Sequence, residues 1–347
     1  MPSRCWSYPV LWRPALPILT AGTLGGRYTV RMETVAVPSP TRLPRFRRAS
    51  EPPAFRLTDD DVLIVRHIAR HRFLRSTHIA ALIGRSLDRT NDRLAKLFHA
   101  GYLDRPRAQL DYYPTSGSAP IAYALADRGA RLLADRYGLL FSNIEWSRKN
   151  REAGRPFIEH QLGVTDFHLA LQLAARERPD LRVIHADELS AAFSAPPAQG
   201  RNAFSLKAKV SQRGLTRERS VVPDLVFGLA LPNASRRYFM VEIDRGTMPV
   251  VRRNPSQTSF EQKMRAYLSA YGSRQHEQRF GWQSFRVLVV TTDDHRTRSM
   301  MEALRTLRVP HSPAASLFLF ATAEQLRTSD PLAHAWRDGT GRDVHLI

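Results

Sequence analysis

Three carboxylates stand where strands should be buried. Asp224 follows Pro223 in the apolar run Val221-Val222-Pro223-Asp224-Leu225-Val226-Phe227, and Glu242 and Asp244 lie in Phe239-Met240-Val241-Glu242-Ile243-Asp244. Side chains alternate along a strand, so Glu242 and Asp244 project to one face. A carboxylate among apolar residues is costly to desolvate unless a cation or a metal pairs with it. On adjacent strands the three could bind Mg²⁺, which takes carboxylate oxygens and keeps several waters. Asp224 and Glu242 are the ligands in that reading; structural pairing with Arg236 or Arg245 is the alternative. Tyr267 and Tyr271 sit one helical turn apart, as paired nucleophilic tyrosines of a nicking enzyme would. Such enzymes need a His-apolar-His metal motif, and the chain has no such triplet. Packing with Met264 and Leu268 against a sheet is therefore the expected role of these tyrosines. His67, His71, His168 and His276 show no ligand spacing.

Apolar periodicity supplies the elements that must position these groups. A long helix over Phe157–Ala175 is apolar on more than one side, which predicts burial. Strands are expected at Arg182–His185, Val221–Ala230, Arg236–Asp244, Phe285–Thr291 and Ser316–Phe320, with helices at Ser259–Arg274 and Asp294–Leu307. The polar, basic stretch 196–219 reads as a loop or an irregular hairpin. This order predicts a mixed sheet with helices on its faces, an α/β architecture.

The N-terminal third reads differently. Thr58 with Asp61 three residues on forms a capping box, and Asp59 and Asp60 favour the same helix start. A second helix begins at Ser76 and stops at Gly84; a third runs from Ser86 to Ala100 and ends at Gly101. That is the order of a helix-turn-helix. In the third helix Leu87, Thr90, Leu94, Leu97 and Phe98 form an apolar stripe, and Arg89, Arg93 and Lys96 a basic one suited to the major groove. Two short strands, from Tyr102 and from Ile121, flank a Pro/Gly/Ser-rich loop that would be a wing. From it Arg105 and Arg107 could reach the DNA backbone or minor groove, beside Arg85 at the turn. A closing helix is expected over Asp127–Tyr137.

Composition narrows the partner. The formal net charge is +20, with 52 Lys+Arg against 32 Asp+Glu and a pI near 11.0. Such a surface attracts polyanions, nucleic acid first among them. Only five of the cations are lysines; arginine suits phosphate and guanine contacts, though a GC-rich coding genome gives the same bias. No run of about 18 apolar residues occurs, so no membrane partner is expected. The single cysteine, Cys5, excludes an intramolecular disulfide and a cysteine-based zinc site, which suits a cytoplasmic protein. The expected organisation is a basic, disordered leader at 1–53, a winged helix at 54–141, a linker at 142–155, an α/β domain at 156–325 and a tail at 326–347. In the leader, Arg42, Arg45, Arg47 and Arg48 could form a basic arm; an over-extended start, with initiation at Met32, is the alternative.

Pro223-Asp224, then Glu242-Ile243-Asp244 on the next strand, resembles the core of PD-(D/E)XK nucleases, of restriction-endonuclease-like fold. The resemblance implies Mg²⁺ ligation by the strand acids and an acid on the preceding helix, matched by Glu159. Asp244 stands where that core has its lysine, and Lys263 on the following helix matches the position to which some branches move it, where it would orient the attacking water. From Leu57 to Leu307 the chain also resembles the replication-relaxation family, through Leu57-Thr58-Asp59, Val222-Pro223-Asp224, Tyr238-Phe239-Met240-Val241-Glu242-Ile243-Asp244-Arg245-Gly246-Thr247 and Phe285-Arg286-Val287-Leu288-Val289-Val290-Thr291-Thr292. That implies work in plasmid or mobile-element replication, maintenance or transfer. Double-stranded DNA is the expected partner, with a homodimer and replication or mobilisation proteins beside it. A Mg²⁺-dependent endonuclease and a transcriptional regulator are the alternatives.

Overall fold

The first helix starts where its cap is built. In the computed structural model, which describes residues 43–110, 119–138, 145–193, 202–212, 215–254, 257–307 and 313–347, α1 spans Asp59–His71 and carries the Thr58/Asp61 capping box. A short strand, β1 (Phe73–Arg75), leads into α2 (Ser76–Ile83). Gly84 closes α2 at φ +65°, a left-handed conformation that favours glycine. Next come α3 (Leu87–His99), β2 (Leu103–Asp104), β3 (Ala122–Leu125) and α4 (Asp127–Tyr137). The three strands form an antiparallel sheet in the order β1-β3-β2. Ile64, Val65, Ile68, Ile79, Leu94, Leu97 and Leu133 fill the core beneath it.

Two short sequence expectations change here. Leu87, placed in the apolar stripe of α3, is 41% exposed, because as the first residue of the helix it precedes the packed turns. The expected linker holds a helix, α5 (Trp146–Glu152), whose buried Asn150 donates to the Leu125 carbonyl and to Asp104. Most of the expected wing loop (111–118) and the leader with Cys5, Met32 and Arg42 lie outside the described residues.

Helix α6 (Arg155–Arg176) explains its own all-round apolarity. Ile158 and Leu162 pack against Phe73 and the β3 alanines, whereas Phe167, Leu171 and Ala174 pack under a second sheet. Thr165 donates to the carbonyl of Phe73, tying α6 to β1. The chain continues through β4 (Arg182–His185), α7 (Ala186–Ala191), a hairpin of β5 (Leu206–Gln212) and β6 (Leu215–Val221), β7 (Leu225–Ala230) and β8 (Arg236–Ile243). Then follow α8 (Phe260–Gly272), α9 (Gln275–Phe280), β9 (Arg286–Thr291), α10 (Asp294–Thr306), α11 (Ala314–Leu317), β10 (Phe318–Thr322), α12 (Ala323–Thr328), β11 (Trp336–Asp338) and β12 (Asp343–Val344). Seven strands form one mixed sheet in the order β12-β11-β10-β9-β8-β7-β4, with β8, β9 and β10 parallel and the other pairs antiparallel.

Alternation along the strands divides the core. Met240, Val287, Val289 and Phe320 face Met264 and Tyr267 of α8, whereas Phe239, Val241, Leu288 and Val290 face α6. The fold is thus mixed α/β, as expected. Two boundaries are corrected. The stretch 206–221 is a regular hairpin, paired from Leu206↔Val221 to Gln212↔Leu215. The expected tail contributes β11 and β12 and buries Leu332, Trp336 and Leu346, apolar side chains that water would otherwise meet.

Candidate functional site

Two groups of charged residues carry the chemistry. The first lies around α3. Arg85 pairs with Asp60 at 2.6 Å and Lys96 with Asp92 at 2.8 Å, both at the surface. Arg89 is exposed and makes no hydrogen bond or ion pair among the described residues, and Arg107 is exposed as well. Arg93 is committed elsewhere: its Nε donates to Asp61 Oδ1 at 2.9 Å and its Nη2 to Oδ2. Asp61 is fully buried and also accepts from Thr58 N and Oγ1 at 2.8 Å. Arg93 therefore neutralises the acid that caps α1.

Arg105, expected to reach DNA, points inward and is 8% exposed. Its guanidinium lies 4.3 Å from the Phe98 ring centroid and 5.1 Å from that of Tyr123, and donates to the Arg45 carbonyl. Arg48 is held too, by Asp104 at 2.5 Å and by the carbonyls of Phe98 and Leu103. Two acids share the outer face of α3 with its cations, since Asp88 and Asp92 are both exposed.

The second group lies at one end of the large sheet. Asp224 immediately precedes β7. Its N–H donates to Val241 O at 2.9 Å and its Oδ2 accepts from Ile243 N at 2.8 Å, which locks it beside the end of β8. Oδ1 lies 3.0 Å from Nε2 of His160 on α6. Gly163 lets α6 come this close, because a Cβ there would stand 3.2 Å from Ile243 Cγ2. The contact with Asp224 raises the His160 pKa above its ordinary value, against the effect of burial.

Glu242 of β8 is 1% exposed on the α8 side of the sheet. Lys263 and Tyr267 are one turn apart on α8, so both reach it. Lys263 Nζ donates to Oε2 at 2.6 Å and Tyr267 Oη to Oε1 at 2.6 Å. Burial drives the Glu242 pKa up to about 7, with Lys263 opposing and the Asp224 charge adding to the rise. Burial works against the Lys263 charge, yet Glu242 and Asp224 outweigh it and raise its pKa. Tyr267 is fully buried and spends its hydroxyl on Glu242, which agrees with a packed rather than a nucleophilic role.

The other two acids are tied to arginines. Asp244 Oδ1 accepts from Arg296 Nη2 at 2.8 Å, and Oδ2 accepts from Arg296 Nε and from Thr291 Oγ1. Glu159 pairs with Arg155 at 2.7 Å and with Arg245. Arg245 thus serves Glu159 rather than a strand acid. The sequence reading missed His160 and Arg296: His160 was visible only as a neighbour of Glu159, and Arg296 gave no signal at all.

This arrangement does not fit a metal ion as it stands. Both Glu242 oxygens are engaged, and Asp244 is neutralised by Arg296. Among the described residues no group of three or more His, Cys, Asp or Glu side chains is placed to hold one. The cation facing the buried carboxylate is Lys263.

A family model described as replication-relaxation matches residues 65–284, from within α1 to just before β9. The chain belongs to the replication-relaxation family. Membership suggests a role in the replication or transfer of plasmids or mobile elements. No curated protein and no solved structure matches the chain. No helix among the described residues is long and apolar enough to cross a membrane.

Proposed function

We propose that this replication-relaxation protein binds double-stranded DNA through a winged helix built from α1–α3 and β1–β3, in the cytoplasm, as part of plasmid or mobile-element replication, maintenance or transfer. The observation that carries the reading is topological: α1-β1-α2-α3-β2-β3 with an antiparallel β1-β3-β2 sheet sets α3 after a tight turn, as the recognition helix of a winged helix is set. Arg89 and Arg107 are exposed and make no ion pair among the described residues, so phosphate can reach them. Arg85 and Lys96 sit in exposed pairs of the kind worth about 0–1 kcal/mol, so phosphate can compete for them. Arg93 and Arg105 support the domain and are left out of the interface. Fluorescence anisotropy on plasmid fragments tests this: Arg89→Ala should weaken binding and reduce the salt slope by about one. An unchanged slope and affinity would remove α3 from the interface.

A second reading, DNA cleavage by a PD-(D/E)XK-like domain, is favoured by one observation. Asp224 at the start of β7 and Glu242 on β8 follow α6 and β4, with α7 and the β5–β6 hairpin inserted between, and Lys263 lies on α8, the helix after β8. It requires Lys263 to release Glu242, since only then would Asp224 and Glu242 be open to hold a Mg²⁺ ion, which in such sites supplies an activated water. Supercoiled plasmid incubated with Mg²⁺ or Mn²⁺ decides: nicking by wild type and not by Asp224→Asn establishes hydrolysis, and intact plasmid with a retained gel shift leaves binding alone.

A further inference from the structure

A cavity of about 490 Å³ opens where α1 and α4 meet α6, β4 and β7. Arg66 and Arg70 of α1 line it, one turn apart, together with Tyr137, His168, His185 and Leu225. Its size falls in the range of small-ligand pockets, about 300–1,000 Å³. Its walls are apolar with a few convergent polar groups, which is how such pockets orient a ligand.

The charge of the cavity is unbalanced. Arg70 Nη2 pairs with Asp187 Oδ2 at 3.0 Å, also in the wall. The Arg66 guanidinium has no carboxylate partner among the described residues and lies 5.2 Å from the Tyr137 ring centroid. Two guanidiniums thus face one carboxylate. The imidazoles of His168 and His185 meet at 3.1 Å between Nε2 and Nδ1, so they share a hydrogen bond and add no charge when neutral. The field is felt nearby: burial first, then Arg70, Arg176 and Arg66, hold His67 down to a pKa of about 4.

We propose that this cavity binds a nucleotide, with its phosphate bridged by Arg66 and Arg70 and its base stacked on the layer formed by Tyr137 and the Arg66 plane. Guanidinium forks match phosphate oxygens, and both tyrosine rings and arginine planes are surfaces on which bases stack. The cavity is distinct from the face of α3 and from the acid cluster, yet it borders α1, which holds Arg93 of α3, and the strand that follows Asp224. Its wall includes α1, and Leu225 directly follows Asp224. An occupant would be felt at the helix that carries the N-terminal core and at the strand end that holds the Asp224 carboxylate.

Isothermal titration calorimetry of the full chain with dAMP, deoxyadenosine and inorganic phosphate tests the assignment. Saturable one-to-one binding of dAMP is expected, tighter than either fragment. Arg66 and Tyr137 are exposed, so their variants should fold as the wild type does. Arg66→Ala should weaken dAMP by at least about tenfold, the worth of a charge-assisted hydrogen bond. Tyr137→Ala should weaken it while leaving phosphate binding unchanged, and Arg89→Ala should leave it untouched, which separates this cavity from the α3 surface. Absence of saturable dAMP binding, equal affinity for phosphate alone, or unchanged binding by Arg66→Ala would each overturn the proposal.

Discussion

Around α3 the cations stand outside and are partly neutralised by acids borrowed from neighbouring turns; around β7 and β8 the carboxylates stand inside and are neutralised by cations sent from helices. The two regions carry similar residue types to opposite ends. At the surface, water solvates Arg85 and Lys96 whether or not Asp60 and Asp92 are near, so these pairs are weak and exchangeable. In the sheet Glu242 and Tyr267 are closed off from water, so no solvent replaces a partner lost there, whereas Lys263 keeps an exposed edge. Asp61 is the exception that connects the regions, a buried acid in the helical domain that holds Arg93 as firmly as Asp244 holds Arg296.

The contrast can be broken most forcefully at Glu242. Glu242→Ala leaves Lys263 and Tyr267 facing each other without their acceptor, and should lower unfolding stability by about 3–5 kcal/mol in urea titrations. A loss under 1 kcal/mol would mean the site is wetter than its burial indicates. Glu242→Gln sharpens the test through pH. The folded pKa near 7 lies above the ordinary 4.5, so the contribution of this group is complete below pH 4.5 and is lost as pH rises through 7. The glutamine variant should lose that dependence.

Arg93→Ala comes next, at about 3 kcal/mol, because it strands the buried Asp61. If Arg93 were a surface DNA contact instead, the melting temperature would hold and only DNA affinity would fall. A smaller effect is expected at the seam between the regions. His71 is 6% exposed, packs on His168 with ring centroids 4.4 Å apart and planes tilted by 41°, and neither of its ring nitrogens has a hydrogen-bond partner among the described residues. Burial, with His67 and Arg70 adding to it, lowers its pKa to about 3 from 6.5. Stability from keeping it neutral is therefore full above pH 6.5 and lost as pH falls through 3, about 2 kcal/mol already gone at pH 5. His71→Phe should shift acid unfolding, followed by circular dichroism, to lower pH. No shift would assign acid sensitivity to other groups. Arg89→Ala should change stability least of all, while still reducing DNA affinity.

Much of the fold was legible because it follows from local rules. The Thr58/Asp61 box, Gly84 and the Asp127–Tyr137 helix depend on neighbours within one turn. The strands of the large sheet announced themselves as apolar runs. The C-terminal strands were read as a tail because β11 and β12 are short and polar in part; Trp336 is the signal that could have revealed them. At the site, Asp224, Glu242, Asp244, Glu159 and Lys263 were visible as charged residues in telling places. Their partners were harder. Lys263 was placed beside Glu242 through resemblance, whereas Arg296 and His160 lie far along the chain from the acids they serve.

The sequence by itself determined where charge must be buried, since a carboxylate inside an apolar strand has nowhere else to go, and where helices begin and end, since caps act within four residues. Only the tertiary structure decided which cation answers each acid and which arginines remain free. That choice depends on the approach of α6, α8 and α10 to the sheet ends and of α3 to α1, contacts between residues tens of positions apart. A chain rich in arginine offers many partners for every acid; packing geometry selects one and, among the described residues, leaves Arg89 and Arg66 without a carboxylate.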